Sequence, residues 1–369
     1  MEKNPTPSHH FVAMPTIKLQ SPGRICFFGD HQDYLGLPVI AGTIDRYLYL
    51  EAEPIDEMRF TIHLLDLEET HQLSLRPKDT LAPPAHYFEA GMQYFWKQGA
   101  IFPHGYSIRI WSEIPINAGL SSSSALVVCW LRFLAQVQKG LPIPDPVTLG
   151  KWAFAVEVEA FNQPGGIMDQ YTIAQGGWLY IDTDSQQSET LPDPKFHWIV
   201  AESGMEKKTL KMLQTARDNQ QKAIAIIQQQ QPQFRLLDSQ LSDEKRFQSL
   251  LPKALQSYWH ASLHNYAITR EAKRLLQNNP TPKELGTLLN AHQHILAHHI
   301  QNTPPLLGKM MEAAKKAGAW GAKIVGSGGG GCMVALVPKA HQNAVIDAFI
   351  QNGAVKAYPV TITPLHEHH

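Results

Sequence analysis

Gly119 stands just before four consecutive serines, Ser121, Ser122, Ser123 and Ser124, at the point where an apolar stretch of helical spacing begins. Backbone N–H groups at a helix start, with hydroxyls beside them, suit an anion, and a triphosphate is the natural guest. A well-capped helix is the plainer use of these residues, because serine is a favoured N-cap, yet four hydroxyls exceed what capping needs. A second stretch, Gly326-Ser327-Gly328-Gly329-Gly330-Gly331, lies between two apolar runs. Such backbone freedom is destabilising there unless the chain must approach a neighbour closely or adopt positive φ. A flexible hairpin turn is the alternative, although hairpins need only about two to five residues. Two glycine-bearing loops of this kind support each other as phosphate-handling segments. The sequence has no Walker-type GxxxxGKS or GxxxxGKT, so the lysine and cation of that loop are not assumed.

The elements that must position these loops are legible at low resolution. From Ile17 to Leu50 short apolar runs alternate with Gly- and Asp-rich turns, and residues 59–64 and 105–111 repeat the alternation. This pattern predicts strands joined by tight connections. A helix capped by its own first-turn hydroxyls is expected after Gly119, and another from Pro146 to Phe161. Residues 205–231 and 254–300 read as helices, with the glutamine runs near 219–233 as solvated helix or loop. AKIVGSGGGGCMVALVP reads as strand, loop, strand. Residues up to about Thr16 are an expected loose lead-in. The polar, proline-bearing text from about Asp182 to Pro194 sets a domain boundary.

The chain's 369 residues exceed one ordinary core, so two domains, or a bilobed unit with a cleft, are expected. The 32 Lys+Arg against 33 Asp+Glu give no basic field for nucleic acid or an anionic membrane surface. No apolar run approaches the roughly 20 residues that span a bilayer, and the start lacks a signal peptide's apolar core, so a cytoplasmic enzyme is expected. Cys26, Cys129 and Cys332 are widely spaced and odd in number, which suits reduced buried thiols.

With the segment Ser21-Pro22-Gly23-Arg24-Ile25-Cys26-Phe27-Phe28-Gly29-Asp30-His31-Gln32-Asp33-Tyr34 added to the two loops, the chain resembles the GHMP kinases, which include galactokinase, homoserine, mevalonate and phosphomevalonate kinases. That segment looks most like the PGR…GEHTDY of galactokinases. Glu157…Pro164-Gly165-Gly166-Ile167-Met168-Asp169-Gln170 is similar to the galactokinase stretch that carries a metal carboxylate and the catalytic aspartate. The motifs keep the family's order from Ser21 to Cys332. The resemblance implies an α+β, two-lobed fold, with an N-terminal half (15–188) like domain 2 of ribosomal protein S5 and a ferredoxin-like C-terminal half (189–365), and ATP in the cleft between them. It also implies an ATP-dependent phosphotransferase acting on a sugar hydroxyl, the anomeric one favoured, to give a sugar 1-phosphate.

Carried over residue by residue, the resemblance makes Asp169 the catalytic base. A carboxylate can orient a poorly nucleophilic hydroxyl and take its proton as the bond to phosphorus forms. Packing against a cation is the other use of such an acid, and both hold if Arg24 lies beside it, where its charge would also stabilise the transferred group. Asp30, His31, Asp33, Gly166 and Asp169 would hold the sugar. Pro115, Asn117, Ala118, Gly119, Leu120, Ser121 to Ser124, Gly328 and Gly329 would hold ATP. Glu157 and Ser123, or Ser122 in its place, would bind Mg2+, while Glu159 is expected to be solvated. The chain departs from the galactokinase pattern in having Asp30 where those enzymes have Glu. The acceptor therefore stays open among galactose, another hexose, a heptose and a uronic acid. A mevalonate-type acceptor would need a cation for its carboxylate, and a catalytically silent sugar and ATP sensor is the third reading. Expected partners are the sugar and ATP, with no nucleic acid or membrane, in a monomer or homodimer. His294 and His298 are one helical turn apart and tempt a metal reading, but without a cysteine or HExxH partner they read as structural.

Overall fold

The alternation running from Ile17 to Leu50 becomes two long strands, β1 (Ile17–Phe28) and β2 (Val39–Ile55), paired antiparallel. The structure, a computed structural model, describes residues 15–77, 83–205 and 209–364. Most of the expected lead-in, positions 206–208 of the expected helix at 205–231, and the terminal HEHH lie outside the described residues. The first lobe continues through β3 (Arg59–Leu64), β4 (Glu69–Ser74), α1 (Tyr87–Lys97), β5 (Gly105–Ser112), α2 (Ser122–Val137), α3 (Pro146–Glu157), α4 (Met168–Gln175), β6 (Trp178–Asp182) and β7 (Gln187–Leu191). Its sheet runs β4-β3-β5-β2-β6-β7, with β1 also on β2. Helices α2 and α4 pack on β1 and β2, and α1 and α3 pack on α2.

The second lobe comprises β8 (His197–Glu202), α5 (Thr209–Gln230), α6 (Asp243–Gln248), α7 (Lys253–Gln277), α8 (Pro282–Ile295), α9 (Pro305–Lys316), β9 (Gly321–Ile324), β10 (Cys332–Val337), α10 (Gln342–Gln351) and β11 (Lys356–Val360). The strands order β11-β8-β10-β9 in an antiparallel sheet. This is a ferredoxin-like β-α-β-β-α-β order whose first crossover has grown into several helices. The α+β, two-lobed fold expected from the sequence is the observed one.

The region read as helical over 254–300 holds two main helices, because Pro280 and Pro282 cannot continue α7 and Thr281 starts α8 with a capping box closed by Glu284. The chain leaves the first sheet at Leu191 and enters the second at His197, so a division between 188 and 189 would fall inside β7. The lobes also share a core: Phe27 stacks on Trp178 at 4.1 Å and meets Trp198 of β8 at 4.6 Å. Aromatic pairs of this kind contribute about 0.5–1.5 kcal/mol beyond their area. After β11 the chain returns to the first lobe, where Ile362 bridges to Ile44 and Pro364 to Gly176.

Candidate active site

Arg24, central in β1, is 4% exposed and forms a two-pronged contact with Asp169 in the first turn of α4. Its Nε donates to Oδ1 at 2.8 Å and its Nη2 to Oδ2 at 2.9 Å, a planar match that only arginine offers a carboxylate. Nη1 donates to the Gly119 carbonyl at 2.6 Å, and the Arg24 backbone N–H to that of Leu120 at 3.1 Å. One strand thus fixes both the serine loop and the helix bearing the acid. Burial opposes the guanidinium charge, but Asp169 outweighs it and raises the Arg24 pKa above its ordinary value. The serines do not cap α2 as expected. Ser121 precedes the helix in a left-handed conformation (φ 60°) and makes no capping bond. Its hydroxyl donates instead to Asp169 Oδ2 at 2.6 Å, so Asp169 is held from two elements while its side chain remains 28% exposed.

The loop after β1 carries Asp30, His31 and Asp33, and each is held differently. Asp30 Oδ2 lies 2.7 Å from Lys323 Nζ of β9, and Oδ1 accepts the Gly326 N–H at 2.8 Å. Lys323 also donates to the Cys26 carbonyl at 2.9 Å, and the paired side chains are 0% and 1% exposed. Burial works against the Asp30 carboxylate, yet the Lys323 ammonium holds its pKa below the usual value. Asp30 reaches the cleft wall, but both oxygens already fasten the two lobes together. His31 (φ 64°) has Nε2 2.9 Å from the Ser327 carbonyl and Nδ1 3.1 Å from the Tyr34 hydroxyl. Asp33 accepts the Tyr34 N–H at 3.0 Å and abuts Gly166, where an added Cβ would come within 2.3 Å of Oδ2. Gly166 therefore contributes space, not a contacting group. Burial, reinforced by the charge of Asp169, pushes the Asp33 carboxyl up to about 7, against the pull of the Tyr34 N–H.

Glu157, the last residue of α3, is buried and accepts from Gln170 Nε2 at 2.7 Å. The Ser123 and Ser124 hydroxyls also hydrogen-bond it, but burial dominates and raises its pKa above the usual value. The other side-chain atom of that amide, Gln170 Oε1, is buried without a partner. A buried carboxylate with neutral donors, beside a spare amide oxygen, is a hard-oxygen set that a hydrated Mg2+ fits. Glu159 is exposed, as expected.

These groups border one cleft of about 390 Å³, a size usual for small-molecule sites. Asn117, Ala118, Gly119, Ser121, Ser122 and Ser123 line it, as do Arg24, His31, Asp33, Glu157, Gly166 and Asp169. Pro115, Leu120, Ser124, Gly328 and Gly329, expected at ATP with these, are not on its wall. Leu120 and Ser124 are buried beneath the loop. The Gly329 N–H is taken by the Asn302 carbonyl at 2.7 Å, and a Cβ on Gly328 would lie 2.6 Å from Asn302. A Cβ on Gly331 would lie 2.5 Å from the Ala118 carbonyl, which accepts the Cys332 N–H at 2.7 Å. The second glycine stretch is dense in glycine because it packs against the first loop and Asn302. Only Gly326 and Ser327 of that stretch reach the cleft wall. Sequence reasoning missed the apolar lining of Leu48, Leu64, Tyr87, Ile110, Trp111 and Leu126, a surface suited to a flat heteroaromatic ring. It also missed Lys323, whose signal was a lone cation inside an apolar strand.

Comparison with known proteins agrees with this geometry. The family descriptions that match are "GHMP kinases N terminal domain" over residues 86–177, "GHMP kinases C terminal" over 272–355, and "Galactokinase galactose-binding signature" over 9–54. A galactokinase of Pyrococcus furiosus is 28% identical over 359 residues, covering 93% of this chain and 95% of the relative. A mevalonate kinase of Thermococcus sibiricus is 28% identical over 341 residues, covering 90% and 92%. Among solved structures, Lactococcus lactis galactokinase complexed with galactose superposes with a TM-score of 0.83 at 22% identity, over 95% of both chains. Methanococcus jannaschii mevalonate kinase gives 0.71 at 18% identity, over 95% of this chain and 99% of that one. Two lobes of this order, with the arginine, serine loop and two acids meeting in one cleft, make this chain a galactokinase-like member of the GHMP kinases.

Proposed function

We propose that the protein transfers the γ-phosphate of ATP to a sugar hydroxyl, the anomeric one, giving a sugar 1-phosphate and ADP. The observation that carries the proposal is the Arg24 fork on Asp169 at the start of the serine loop. Asp169 accepts the proton of the attacking hydroxyl as its oxygen bonds to phosphorus, and the bond to the β-phosphate oxygen breaks. Arg24 opposes the charge developing on the transferred group. The triphosphate lies along residues 117–123 at the N-terminus of α2, and the adenine against the apolar wall around Trp111 and Tyr87. Mg2+ would be held by Glu157 and by Ser123, chosen over Ser122 because it bonds Glu157, and would neutralise phosphate charge. Among the described residues, Arg24 is the one Lys or Arg lining the cleft, and it is committed to Asp169 and Gly119. The galactose-binding signature over residues 9–54 favours a sugar over mevalonate as the acceptor. Buried cysteine thiols fit a reducing compartment, so we place the enzyme in the cytoplasm.

The test is an ATP-consumption screen over hexoses, heptoses, uronic acids and mevalonate, with the product phosphate located by 31P NMR. Turnover of a sugar is expected, with kcat about 10²–10⁴-fold lower in Asp169→Asn and KM within a few-fold. Turnover of mevalonate alone would overturn the assignment, as would tight sugar binding without turnover.

A further inference from the structure

Outside the cleft, the second lobe gathers two histidines and a glutamate that the kinase reading does not use. His260 and His264 lie one turn apart on α7, and Glu244 of α6 reaches both. Glu244 Oε1 is 2.7 Å from His260 Nδ1, and Oε2 is 2.9 Å from His264 Nε2. One potential donor atom from each residue lies within 4.8 Å of the other two. None of the three lines the cleft, and all are half-buried. The two imidazoles stack at 3.9 Å, so both rings aim at the same carboxylate from one helix face.

We propose that Glu244, His260 and His264 form a three-ligand site for a divalent transition metal, Zn2+ first among them. Histidines at i and i+4 put two imidazole nitrogens on one side of a helix, and a carboxylate from a separate element completes a facial set. The donor set, imidazole plus carboxylate with no thiolate, suits Zn2+, and Cu2+ or Ni2+ by the general affinity order, and disfavours Mg2+ and Ca2+. Three protein ligands leave a fourth, water-filled position. The ion would cross-link α6, six residues long, to the 25-residue α7. The His294 and His298 pair singled out in the sequence is a weaker candidate, since His298 Nδ1 is 2.9 Å from the His294 carbonyl and no third ligand joins them among the described residues.

The test is calorimetric titration of the full chain, stripped with EDTA and then dialysed, with ZnCl2 in buffer containing excess Mg2+. One Zn2+ per chain is expected in the micromolar range or tighter, with a rise in Tm. Affinity should fall at least about tenfold in Glu244→Gln and in His264→Gln, with kinase turnover unchanged in both. Using two separate variants guards against one that fails to fold. A control, His366→Ala/His368→Ala/His369→Ala, should keep the affinity, and zinc-edge anomalous diffraction should place the ion between Glu244, His260 and His264. Unaltered binding in both site variants, loss of binding in the tail control, or no binding at all would overturn the proposal. It does not rest on the kinase reading, so turnover can fail while metal binding succeeds, and the reverse.

Discussion

Replacing Asp33 with Asn should make the protein more stable and less active at neutral pH, with a characteristic pH dependence. The folded protein pushes this carboxyl from its ordinary 3.8 up to about 7, through burial and the neighbouring Asp169 charge. In that interval the folded state keeps a proton that the unfolded chain has released. The group's stabilising contribution is therefore complete below about pH 4 and is lost as pH rises through 7. Each tenfold change in proton affinity corresponds to about 1.4 kcal/mol, so roughly three decades set a ceiling of about 4 kcal/mol. Asp33 is half-buried and faces the water of the cleft, and screening reduces the expected effect to about 1–2 kcal/mol. An unfolding entropy of about 2.1 cal/mol/K per residue over 369 residues converts this to a Tm gain of about 1–3 °C. Asn mimics the protonated form, so the difference between variant and parent should be small near pH 4.5 and largest at pH 8. Ligand-free differential scanning fluorimetry across that range measures it, and sugar KM on the same samples should rise because the acceptor carboxylate is gone. A difference that stays flat with pH, or an Asn variant less stable throughout, would refute the argument that cleft desolvation strains Asp33.

Two further substitutions probe how the site is held. Lys323→Met should destabilise by about 3–5 kcal/mol in urea unfolding, because Asp30 would stay buried without its counter-ion. Combining it with Asp30→Asn should restore most of that loss, and failure to do so would show that the pair is not the source. Gly166→Ala would drive a methyl to within 2.3 Å of Asp33 Oδ2, so sugar KM should rise about tenfold or more while Tm changes by less than about 2 °C. A normal KM would mean that Asp33 can yield and does not position the sugar.

Much of the site was legible because its chemistry is written in contiguous text. The serine run suggested a phosphate through its own residue types, whereas the roles expected of the segment from Arg24 to Asp33 and of Glu157 and Asp169 came with the resemblance to the GHMP kinases. Strand and helix periodicities announced the elements that carry them, and the two-lobed α+β fold followed. What the text could not announce is how the hydrogen-bonding capacity of each group is divided. Nothing near Asp30 in the chain shows that Lys323, 293 residues away, donates to one of its oxygens. The serine run looks like a cap until Ser121 turns to Asp169 instead, 48 residues on. Nothing in the glycine run itself shows that Ala118 and Asn302 pack closely against it. Local sequence determined which groups this protein possesses and which secondary elements bear them. Only the tertiary structure decided which through-space partners each group has and which groups line the cleft, because such a partner has no fixed distance along the chain.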